Sequence, residues 1–342
     1  MRSTVFVSLL ALSGAAFAGT HNGRHSSRQH IHRKRGYKVS KWLDGDNLVD
    51  AFNFDVKPSD NQGVADYVDG KESGLVWSDG SKKTYISVDQ TPYADLRKAV
   101  RMTSKDKFNP SDNLLFIFDV QHIPCLCGTW PALWFTGSNW PFDGEIDIIE
   151  GVHLYKQNTM SVHTGTGCNW PNYIISSLSK LTANKPDEFS CDANADYQSC
   201  GGSQDSKTSF GKAFNDAGGG VFALELNENL VAMHQWNIAD VPKDIQDNNP
   251  DPSQWGEPIF KMPSDQCVIG DHFKDLMLVI NTNLGGFFSE GVWAIDGAGG
   301  QETSCQKQTN FNSAADYVKQ MGSVFGDDAR WIINKIVIYE QN

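Results

Sequence analysis

The chain has 342 residues, with 29 lysines and arginines against 41 aspartates and glutamates and a formal net charge of −12. Six of the basic residues and none of the acidic ones lie within residues 1–35, so the rest of the chain is more acidic still. This balance argues against nucleic acids and anionic membranes as partners, because both are bound by basic surfaces. It fits a protein that acts on a neutral or basic substrate.

The first 18 residues have the pattern of a secretory signal peptide. Arg2 precedes an apolar run over residues 5–12, and Ala16-Phe17-Ala18 matches a small-x-small cleavage site. A membrane-spanning helix needs roughly 20 apolar residues, and neither this run nor any other in the chain is that long. The pattern therefore predicts a secreted, extracellular protein.

Residues 19–35 are rich in histidine, arginine and serine and cannot bury a core of their own. They end in Arg33-Lys34-Arg35, which is typical of a processing site after a secretory pro-segment. We expect this basic segment to be removed, and a disordered tail that stays attached is the alternative. Residues 36–342 are then the mature protein, which is long enough for one large β domain.

Short segments of strand character recur through the mature chain. They contain β-branched and aromatic residues and are separated by glycine, proline, asparagine and aspartate. The clearest are residues 84–88, 114–120, 145–149, 159–163, 221–226, 276–280 and 331–339. Residues 314–325 are the candidate for a short helix. The pattern predicts an all-β fold, a β-jelly-roll sandwich of two antiparallel sheets, since two packed sheets hide most strand edges.

Two long connections, residues 164–220 and 237–274, are expected to build the functional site. The first contains Cys168, Cys191 and Cys200, and at least one local disulfide is expected among them. Seven cysteines in a secreted chain predict up to three disulfides and one remaining thiol. Cys125 and Cys127 are too close in sequence to pair comfortably, so one of them is the candidate for the free thiol.

The segment GEIDIIEG, beginning at Gly144, places three carboxylates among isoleucines. In a regular strand Glu145 and Asp147 would share a face and Glu150 would point away from them. One residue inserted as a β-bulge between Asp147 and Glu150 would return Glu150 to the face of the other two acids. The motif therefore predicts a bulge, with Ile149 as the inserted residue.

Three acids on one face of a strand require a physical reason. Like charges a few ångströms apart raise each other's pKa, so at least one carboxyl group stays protonated near neutral pH. A carboxylic acid working with a carboxylate is the arrangement of glycoside hydrolysis. The alternatives are solvated acids on an edge strand and a calcium site, although calcium prefers several oxygen ligands from a flexible loop.

Tryptophans directly precede the acidic motif. Trp130, Trp134 and Trp140 stand within eleven residues. Tryptophan is costly to expose, and sugar rings offer C–H faces that stack on it. Tryptophans beside paired carboxylates indicate a carbohydrate cleft. We expect one of the three to be core packing, with Trp130 the candidate, which leaves Trp134 and Trp140 to bind substrate.

At these motifs the chain resembles glycoside hydrolase family 16, and within it the fungal laminarinase-like endo-1,3(4)-β-glucanases. The resemblance rests on GTWPALW, GEIDIIEG and SVHTGTGC and covers most of residues 37–342, including GVADYVDG, DLRKAVRMTS and LVINTNLGG. It implies a sandwich whose concave face forms the substrate cleft and holds a β-glucan. It also implies retention of configuration through a covalent glycosyl-enzyme.

The resemblance implies roles for the residues that match the family motif. Glu145 would be the nucleophile and Glu150 the general acid/base. Asp147 would lie between them, hydrogen-bond Glu145 and assist its protonation changes. His163, on the next strand-like segment, would contact the sugar or Asp147, although a single histidine is more often structural.

Two further residues, Arg97 and Asp66, fall where related enzymes contact the glycone side of the substrate. They are retained as candidate substrate-binding residues by this resemblance alone. The resemblance requires no cofactor, and it allows a structural calcium ion on the convex face only by family analogy.

The chain departs from the family pattern at Asp66 and Ala99, where relatives more often have asparagine and serine, and in two longer segments. AMHQWNI places His234 and Ile238 where relatives have tryptophan and arginine, and GGFF places Phe288 at the position of a cleft aromatic. GGFF also lacks a cysteine that relatives have, which puts the disulfide partner of Cys305 in question. Both departures put subsite binding and linkage preference in question.

The sequence therefore predicts a secreted, monomeric, retaining endo-β-glucanase that cleaves internal β-1,3 or β-1,4 bonds of laminarin- or lichenan-type glucans. A cell-wall glucan transglycosylase of the same fold is an alternative, because it would share the three acids. A non-catalytic glucan-binding lectin is another, but a binding protein needs no acid pair. A calcium-stabilised adhesion sandwich would not explain the tryptophans.

Overall fold

A computed structural model of the chain describes residues 36–169, 179–181, 190–194, 199–265 and 267–341. The predicted signal peptide and pro-segment lie outside these residues. Most of the described chain forms two large antiparallel sheets that pack face to face. The predicted all-β sandwich of the jelly-roll type is therefore confirmed.

One of the two sheets, named the outer sheet here, carries none of the three acids. Its strands are β1 (Tyr37–Leu43), β5 (Val76–Ser78), β6 (Thr84–Ile86), β9 (Leu114–His122), β15 (Gly220–Asn227), β16 (Leu230–Asn237), β17 (Phe260–Pro263) and β19 (Trp331–Gln341). Their order is β17-β16-β15-β9-β19-β6-β5, and β1 pairs with the later part of β19. The long β19 therefore has β9 on one side and both β6 and β1 on the other.

The second sheet, named the cleft sheet here, carries the acidic motif. Its strands are β2 (Phe52–Phe54), β8 (Arg101–Ser104), β10 (Thr129–Thr136), β11 (Glu145–Glu150), β12 (Thr159–His163), β13 (Ser179–Leu181), β14 (Cys200–Gln204) and β18 (Met277–Leu284). They follow the order β13-β14-β12-β11-β10-β18-β8-β2. The acidic strand β11 thus lies near the middle of this sheet, between β10 and β12.

A third, small sheet was not predicted. It consists of β3 (Lys57–Pro58), β4 (Ala65–Tyr67) and β7 (Arg97–Ala99), and β4 and β7 pair in parallel. Parallel pairing joins segments that are distant in sequence and leaves no hairpin signal at the turn. The small sheet carries both predicted glycone-side residues, Asp66 and Arg97.

The described helices are short. They are α1 (Gly45–Asp50), α2 (Gly211–Asp216), α3 (Lys243–Gln246), α4 (Ile269–His272), α5 (Phe287–Val292), α6 (Cys305–Thr309) and α7 (Ala314–Gln320). The helix predicted over residues 314–325 is α7 followed by a separate 3₁₀ turn, because Met321 leaves the helical conformation. Among the described residues, no helix has the length and apolar character needed to cross a membrane.

The main core lies between the two sheets. Phe116 and Phe118 of the outer sheet pack against Phe135 of the cleft sheet, with ring centroids 4.9 and 6.5 Å apart. Alternate residues of the same strands point the other way, so Ile117 and Val221 belong to a separate cluster on the outer face. Fully burying one large apolar side chain contributes about 1.5–3 kcal/mol, so both clusters stabilise the sandwich.

The segment after β16 covers that outer face. Val241, Ile245 and Trp255 pack against the outer sheet in the same cluster. The prediction that residues 237–274 build the functional site is therefore wrong for this part of the connection. Its apolar side chains are used to cover the sheet on the side opposite the main core.

Three disulfides join the described residues: Cys127–Cys305, Cys168–Cys267 and Cys191–Cys200. The bridge between Cys191 and Cys200 is the predicted local one. Cys125 is the free thiol, which confirms the prediction for the Cys125/Cys127 pair. Burial raises the pKa of Cys125 to about 12, so the thiol stays protonated. The disulfide partner of Cys305, which the sequence left in question, is Cys127, 178 residues earlier in the chain.

Candidate active site

The acidic motif forms β11, and its register with β10 contains the predicted bulge. Leu133 pairs with Ile149 and Trp134 pairs with Asp147, so Ile148 has no partner on β10. The bulge itself is confirmed, but the inserted residue is the first isoleucine of the pair rather than Ile149. Ile148 and Ile149 are the same residue type and both are fully buried, so the sequence alone could not show which of them is inserted.

Asn158 holds the bulge from the turn before β12. Its side-chain oxygen accepts the backbone N–H of Glu150 at 3.1 Å, and its amide donates to the carbonyl oxygen of Ile148 at 2.8 Å. A bulge leaves backbone groups without ladder partners, and buried groups of that kind must be paired elsewhere. Asn158 is fully buried and supplies both partners. Sequence reasoning missed this residue, because a single asparagine before a strand reads as an ordinary turn.

The bulge places all three acids on the same face of β11. On β12, Glu145 pairs with His163 and Asp147 pairs with Ser161. The His163 Nε2 atom lies 3.4 Å from Oδ2 of Asp147 and 3.7 Å from Oε1 of Glu145. The Ser161 hydroxyl donates to Oδ2 of Asp147 at 2.7 Å. Ser161 was missed by sequence reasoning, although it lies two residues before His163 and therefore shares its face.

Two tryptophans lie beside the two glutamates. The Trp130 indole N–H donates to Oε1 of Glu150 at 2.9 Å, and the Trp140 side chain lowers the pKa of Glu145. The prediction that Trp130 is core packing is confirmed only in part: it is partly buried and packs against the main core, but its indole N–H also binds a carboxylate of the site. Trp140 is 52% exposed, and its ring centroid lies 6.5 Å from that of His163.

The two glutamates hold their protons unusually firmly. Burial and the neighbouring Asp147 raise the pKa of Glu150 to about 8, although the hydrogen bond from Trp130 acts in the opposite direction. The same two causes raise the pKa of Glu145 to about 7, against the opposing charge of His163. Both carboxyl groups therefore keep their protons to a higher pH than a free glutamate does. Protonated and ionised forms are both available near neutral pH, as a pair that combines an acid and a carboxylate requires.

His163 carries the compensating positive charge. Burial alone would lower its pKa, but the hydrogen bond to Asp147 and the nearby glutamate charges raise the pKa of His163 to about 9. The ring is then protonated at neutral pH and faces the carboxylates of Asp147 and Glu145. The structure thus brings four predicted residues together in one cluster: Glu145, Asp147, Glu150 and His163.

Trp134 continues the floor of this face toward β18 and β8. Its indole N–H donates to the Asn281 side-chain oxygen at 2.8 Å, and the Asn281 amide lies 3.4 Å from the Tyr67 hydroxyl. The Arg101 guanidinium lies 4.9 Å above the Trp134 ring, and its Nε is 2.9 Å from a carboxylate oxygen of Asp55. Asn281, Tyr67 and Arg101 are candidate site residues that sequence reasoning missed.

Arg97 does not face the cleft, and its prediction as a substrate-binding residue is wrong. Its side chain is fully buried and donates to the backbone carbonyl groups of Thr91, Val318 and Lys319. These contacts join the small sheet to the end of α7. Arg101 follows on the next strand, β8, which belongs to the cleft sheet.

Asp66 is also separated from the other predicted residues. It is partly exposed, while its neighbours Ala65 and Tyr67 are buried and point to the opposite face of β4. Within the described part of the chain, no hydrogen bond or ion pair joins Asp66 to the acidic cluster. The small sheet therefore presents Tyr67 to the site, rather than Asp66.

The two departures from the family pattern have different consequences. His234 lies on β16 and stacks on Trp236 with a centroid distance of 5.5 Å, on the outer sheet rather than in the cleft. Ile238 follows directly, so neither residue affects the cleft by contact. Phe288 packs edge-on against Trp130 at 5.8 Å. Phe288 therefore contacts the same tryptophan that donates to Glu150.

Among the described residues, one group of three side chains has the spacing of a metal site. Its members are Glu145, Asp147 and His163, whose ligand atoms lie within 4.8 Å of one another. Calcium takes six to eight oxygen ligands, so a set with a histidine nitrogen and two carboxylates does not fit it.

Comparison with known proteins places this geometry in a family. Residues 52–339 match the model of an XgeA-like catalytic domain of glycoside hydrolase family 16. An endo-1,3(4)-β-glucanase of Arthroderma benhamiae is 33% identical over 316 residues, which is 89% of this chain and 64% of that protein. A probable glycosidase of Schizosaccharomyces pombe is 30% identical over 93% of this chain and 71% of its own length.

The chain is shorter than several of these relatives. It spans 45% of the length of a probable endo-1,3(4)-β-glucanase of Aspergillus fumigatus, to which it is 31% identical. The matched part is therefore the catalytic domain, and the relatives contain further sequence beside it.

Solved structures agree with the sequence comparison. Laminarinase 16A of Phanerochaete chrysosporium, solved with two β-glucans in its donor and acceptor sites, is 29% identical with a TM-score of 0.78 over 89% of this chain and 100% of its own. An elongating family 16 β-1,3-glucosyltransferase is 31% identical with a TM-score of 0.75 over 89% of this chain and 99% of its own. The chain belongs to glycoside hydrolase family 16.

Proposed function

We propose that this protein is a secreted endo-β-glucanase that hydrolyses internal β-1,3 or β-1,4 bonds of β-glucans and retains the configuration at the anomeric carbon. The observation that supports it most directly is the bulged strand, which turns Glu145, Asp147 and Glu150 to one face. The relatives named endo-1,3(4)-β-glucanase support the same substrate class.

In the first step, Glu145 is the nucleophile and Glu150 is the acid. The ionised Glu145 carboxylate attacks the anomeric carbon while Glu150 gives its proton to the glycosidic oxygen. The glycosidic bond breaks, the leaving glucan departs as an alcohol, and a glycosyl ester forms on Glu145. The pKa values of both carboxyl groups are raised, to about 8 for Glu150 and about 7 for Glu145, which supports a pair that contains one acid and one carboxylate. The choice of which glutamate has which role rests on the match to the family motif.

In the second step, Glu150 acts as a base. Its carboxylate takes a proton from water, the water oxygen attacks the anomeric carbon, and the ester bond to Glu145 breaks. Both glutamates return to their starting protonation states. Asp147 is positioned by Ser161 and His163, and its proposed role is to adjust the charge beside Glu145 during both steps.

The substrate is proposed to lie across the cleft sheet. Trp134, on β10, and the half-exposed Trp140, beside His163, are proposed to supply apolar faces for sugar rings. Asn281 and Arg101 add polar groups beside Trp134. The net negative charge of the chain favours a neutral polysaccharide over an anionic one.

We further propose the processing scheme that the sequence suggests. Residues 1–18 direct secretion, residues 19–35 are removed, and residues 36–342 act as a monomeric catalytic domain outside the cell. N-terminal sequencing of the protein secreted by its host, with its mass in solution, tests both parts. A chain that begins near Gly36 and has the mass of a monomer in solution would support the proposal. A chain that retains residues 19–35, or a stable dimer, would contradict it.

The activity test uses laminarin, lichenan and carboxymethyl cellulose, with products followed by NMR. Early appearance of the β-anomer is expected for retaining hydrolysis of a β-linked glucan. The α-anomer appearing first would contradict retention. No release of products from any of the glucans would contradict the hydrolase proposal itself.

A glucan transglycosylase is the second candidate, and one observation favours it. The elongating β-1,3-glucosyltransferase is as similar to this chain as the laminarinase is, so the same fold and sequence class contains both reactions. In a transferase, a sugar hydroxyl replaces water in the second step. Products longer than the starting oligosaccharide would identify transfer in the NMR assay above.

A further inference from the structure

A cavity of about 320 Å³ lies on the outer face of the outer sheet, on the side opposite the main core. We call it the outer cavity. Its floor is formed by Ile117 of β9, Val221 of β15 and Val337 of β19, and Val241 and Ile245 of the covering segment form its wall. The volume lies within the range of small-molecule sites, about 300–1,000 Å³.

The rim of the outer cavity carries four polar side chains: Asp119, Gln246, Asn248 and Lys335. Asp119 accepts a hydrogen bond from Asn334 at 2.8 Å through one oxygen. The Gln246 amide donates to the Val241 carbonyl at 2.8 Å, which orients its side chain. Carboxylate and ammonium charges of opposite sign stand on the same rim. The rim therefore favours a neutral ligand with several hydroxyl groups over a cation or an anion.

Trp42 extends this site along the sheet. It is 40% exposed on β1 and pairs directly with Val337, whose side chain forms part of the cavity floor. Directly opposed side chains in an antiparallel pair lie about 4.5–5.5 Å apart, so the indole stands at the edge of the cavity. The Lys335 ammonium lies 4.5 Å from the Trp42 ring centroid, and the indole N–H donates to Asp44 at 3.0 Å.

A pyranose has an apolar C–H face and a polar perimeter of hydroxyl groups. The outer cavity matches both, because its floor and Trp42 are apolar and its rim carries carboxylate and amide groups. The C–H face of the ring packs on apolar and aromatic side chains. The hydroxyl groups at its perimeter both donate and accept, and the rim offers partners of both kinds. An aliphatic ligand would leave the four polar rim groups without new partners, so it is the less suitable occupant.

We propose that the outer cavity and Trp42 form a second carbohydrate-binding site, which holds one or two sugar units of a β-glucan. The choice of β-glucan rests on the proposed function, but the site does not share residues with the catalytic cleft. A polymer held at this site stays close to the enzyme while another segment enters the cleft. Local substrate concentration then rises through multivalent binding.

Two variants remove the site by different means. Trp42→Ala deletes the aromatic face, and Val221→Trp fills the cavity from its floor. Trp77→Ala is the matched control, because Trp77 is 38% exposed on the same outer sheet and stacks on Tyr85 without lining the cavity. Near-UV circular dichroism establishes that each variant is folded.

Binding to insoluble β-1,3-glucan and kcat/KM on a short soluble laminari-oligosaccharide are measured for each protein. We expect Trp42→Ala and Val221→Trp to bind the insoluble glucan about fivefold more weakly, while kcat/KM on the oligosaccharide stays within about twofold. The control variant should match wild type in both measurements. Unchanged binding in both cavity variants overturns the proposal, and so does an equal loss in Trp77→Ala.

Methyl NMR identifies the ligand independently of turnover. Titration of laminaritetraose should shift the methyl signals of Val221 and Val337, and 1-hexanol should not. Shifts with hexanol alone would replace the carbohydrate assignment with an aliphatic ligand and overturn the proposal. If the tetraose shifts these signals while no glucan is ever hydrolysed, the catalytic proposal fails and the binding site stands.

Discussion

At the scale of single residues, the nucleophile assignment is the first to test. Glu145→Gln removes the attacking carboxylate but keeps the size of the side chain and one acceptor oxygen. We expect kcat to fall by at least about 10³-fold, with glucan binding and thermal stability close to wild type. Hydrolysis rates with laminarin and calorimetric binding test this. A rate near that of wild type would remove Glu145 from the nucleophile role.

The acid role of Glu150 predicts a dependence on the leaving group. Glu150→Ala should lose about 10²–10⁴-fold in rate on glucans, whose sugar leaving groups need a proton. The loss should be much smaller on an aryl β-glucoside with an acidic phenol, because that group leaves without protonation. Rates on both substrates provide the measurement. An equal loss on the two substrates would contradict the acid role.

The indole of Trp130 predicts a shift of the pH profile. Activity needs Glu145 ionised and Glu150 protonated, so kcat/KM should rise with pH as the first ionises and fall near pH 8 as the second does. The Trp130 hydrogen bond favours ionised Glu150 and lowers its pKa. Trp130→Phe removes that bond, so the pKa of Glu150 rises and the falling limb moves to higher pH.

Trp134→Phe is the control for that profile, since Trp134 donates to Asn281 rather than to a catalytic acid. It should change KM without moving the falling limb. A falling limb that stays in place in Trp130→Phe, or that moves equally in both variants, would show that the indole of Trp130 does not set the proton affinity of Glu150.

At the scale of elements, the bulge in β11 is the feature on which the site depends. Asn158→Ala leaves the Glu150 N–H and the Ile148 carbonyl group unpaired in a buried place. We expect a loss of about 2–4 kcal/mol in the free energy of unfolding and a larger proportional loss in kcat than in binding. Urea unfolding and steady-state kinetics measure these effects.

Asn158→Asp separates the two bonds that hold the bulge. It keeps the acceptor for the Glu150 N–H and lacks the amide donor to the Ile148 carbonyl group. Its kcat should lie between those of wild type and Asn158→Ala, because the direction of Glu150 is partly maintained. Wild-type kcat in the folded Asn158→Ala variant would show that the bulge keeps its geometry without this side chain.

Element types were largely predictable, but their contacts were not. The segment 159–163 is β12 as predicted, and residues 114–120 are the first part of β9. These strands follow from local composition, since β-branched and aromatic residues suit a pleated surface. The small sheet was missed because β4 and β7 are three residues each, and their parallel pairing depends on chain segments that local sequence does not connect.

At the scale of the whole molecule, Arg97 joins the small sheet to the helical side of the sandwich. Arg97→Met would leave the carbonyl groups of Thr91 and Val318 without their donor in a buried place. We expect a loss of about 3 kcal/mol in unfolding free energy, with KM unchanged at temperatures where the variant is folded. Thermal unfolding and steady-state kinetics distinguish this from a substrate role, which would raise KM while leaving stability near wild type.

The sequence by itself determined the features that depend on local order along the chain. The mismatch between the acids of GEIDIIEG and strict alternation predicted a bulge, because the side-chain period of a strand is two. Cysteine spacing predicted that Cys125 or Cys127 would remain free, since two such close residues do not pair comfortably. The strand composition predicted the all-β sandwich.

Only the tertiary structure decided which distant residues meet. Register with β10 selected Ile148 as the inserted residue, and packing across strands brought the indole N–H of Trp130 to Glu150 while its ring packs against the core. The same long-range packing buried Arg97 and placed Val337 beside Trp42 on the outer face. These outcomes depend on pairings between segments far apart in the chain. The local sequence around a residue does not determine such pairings, so it could not predict them.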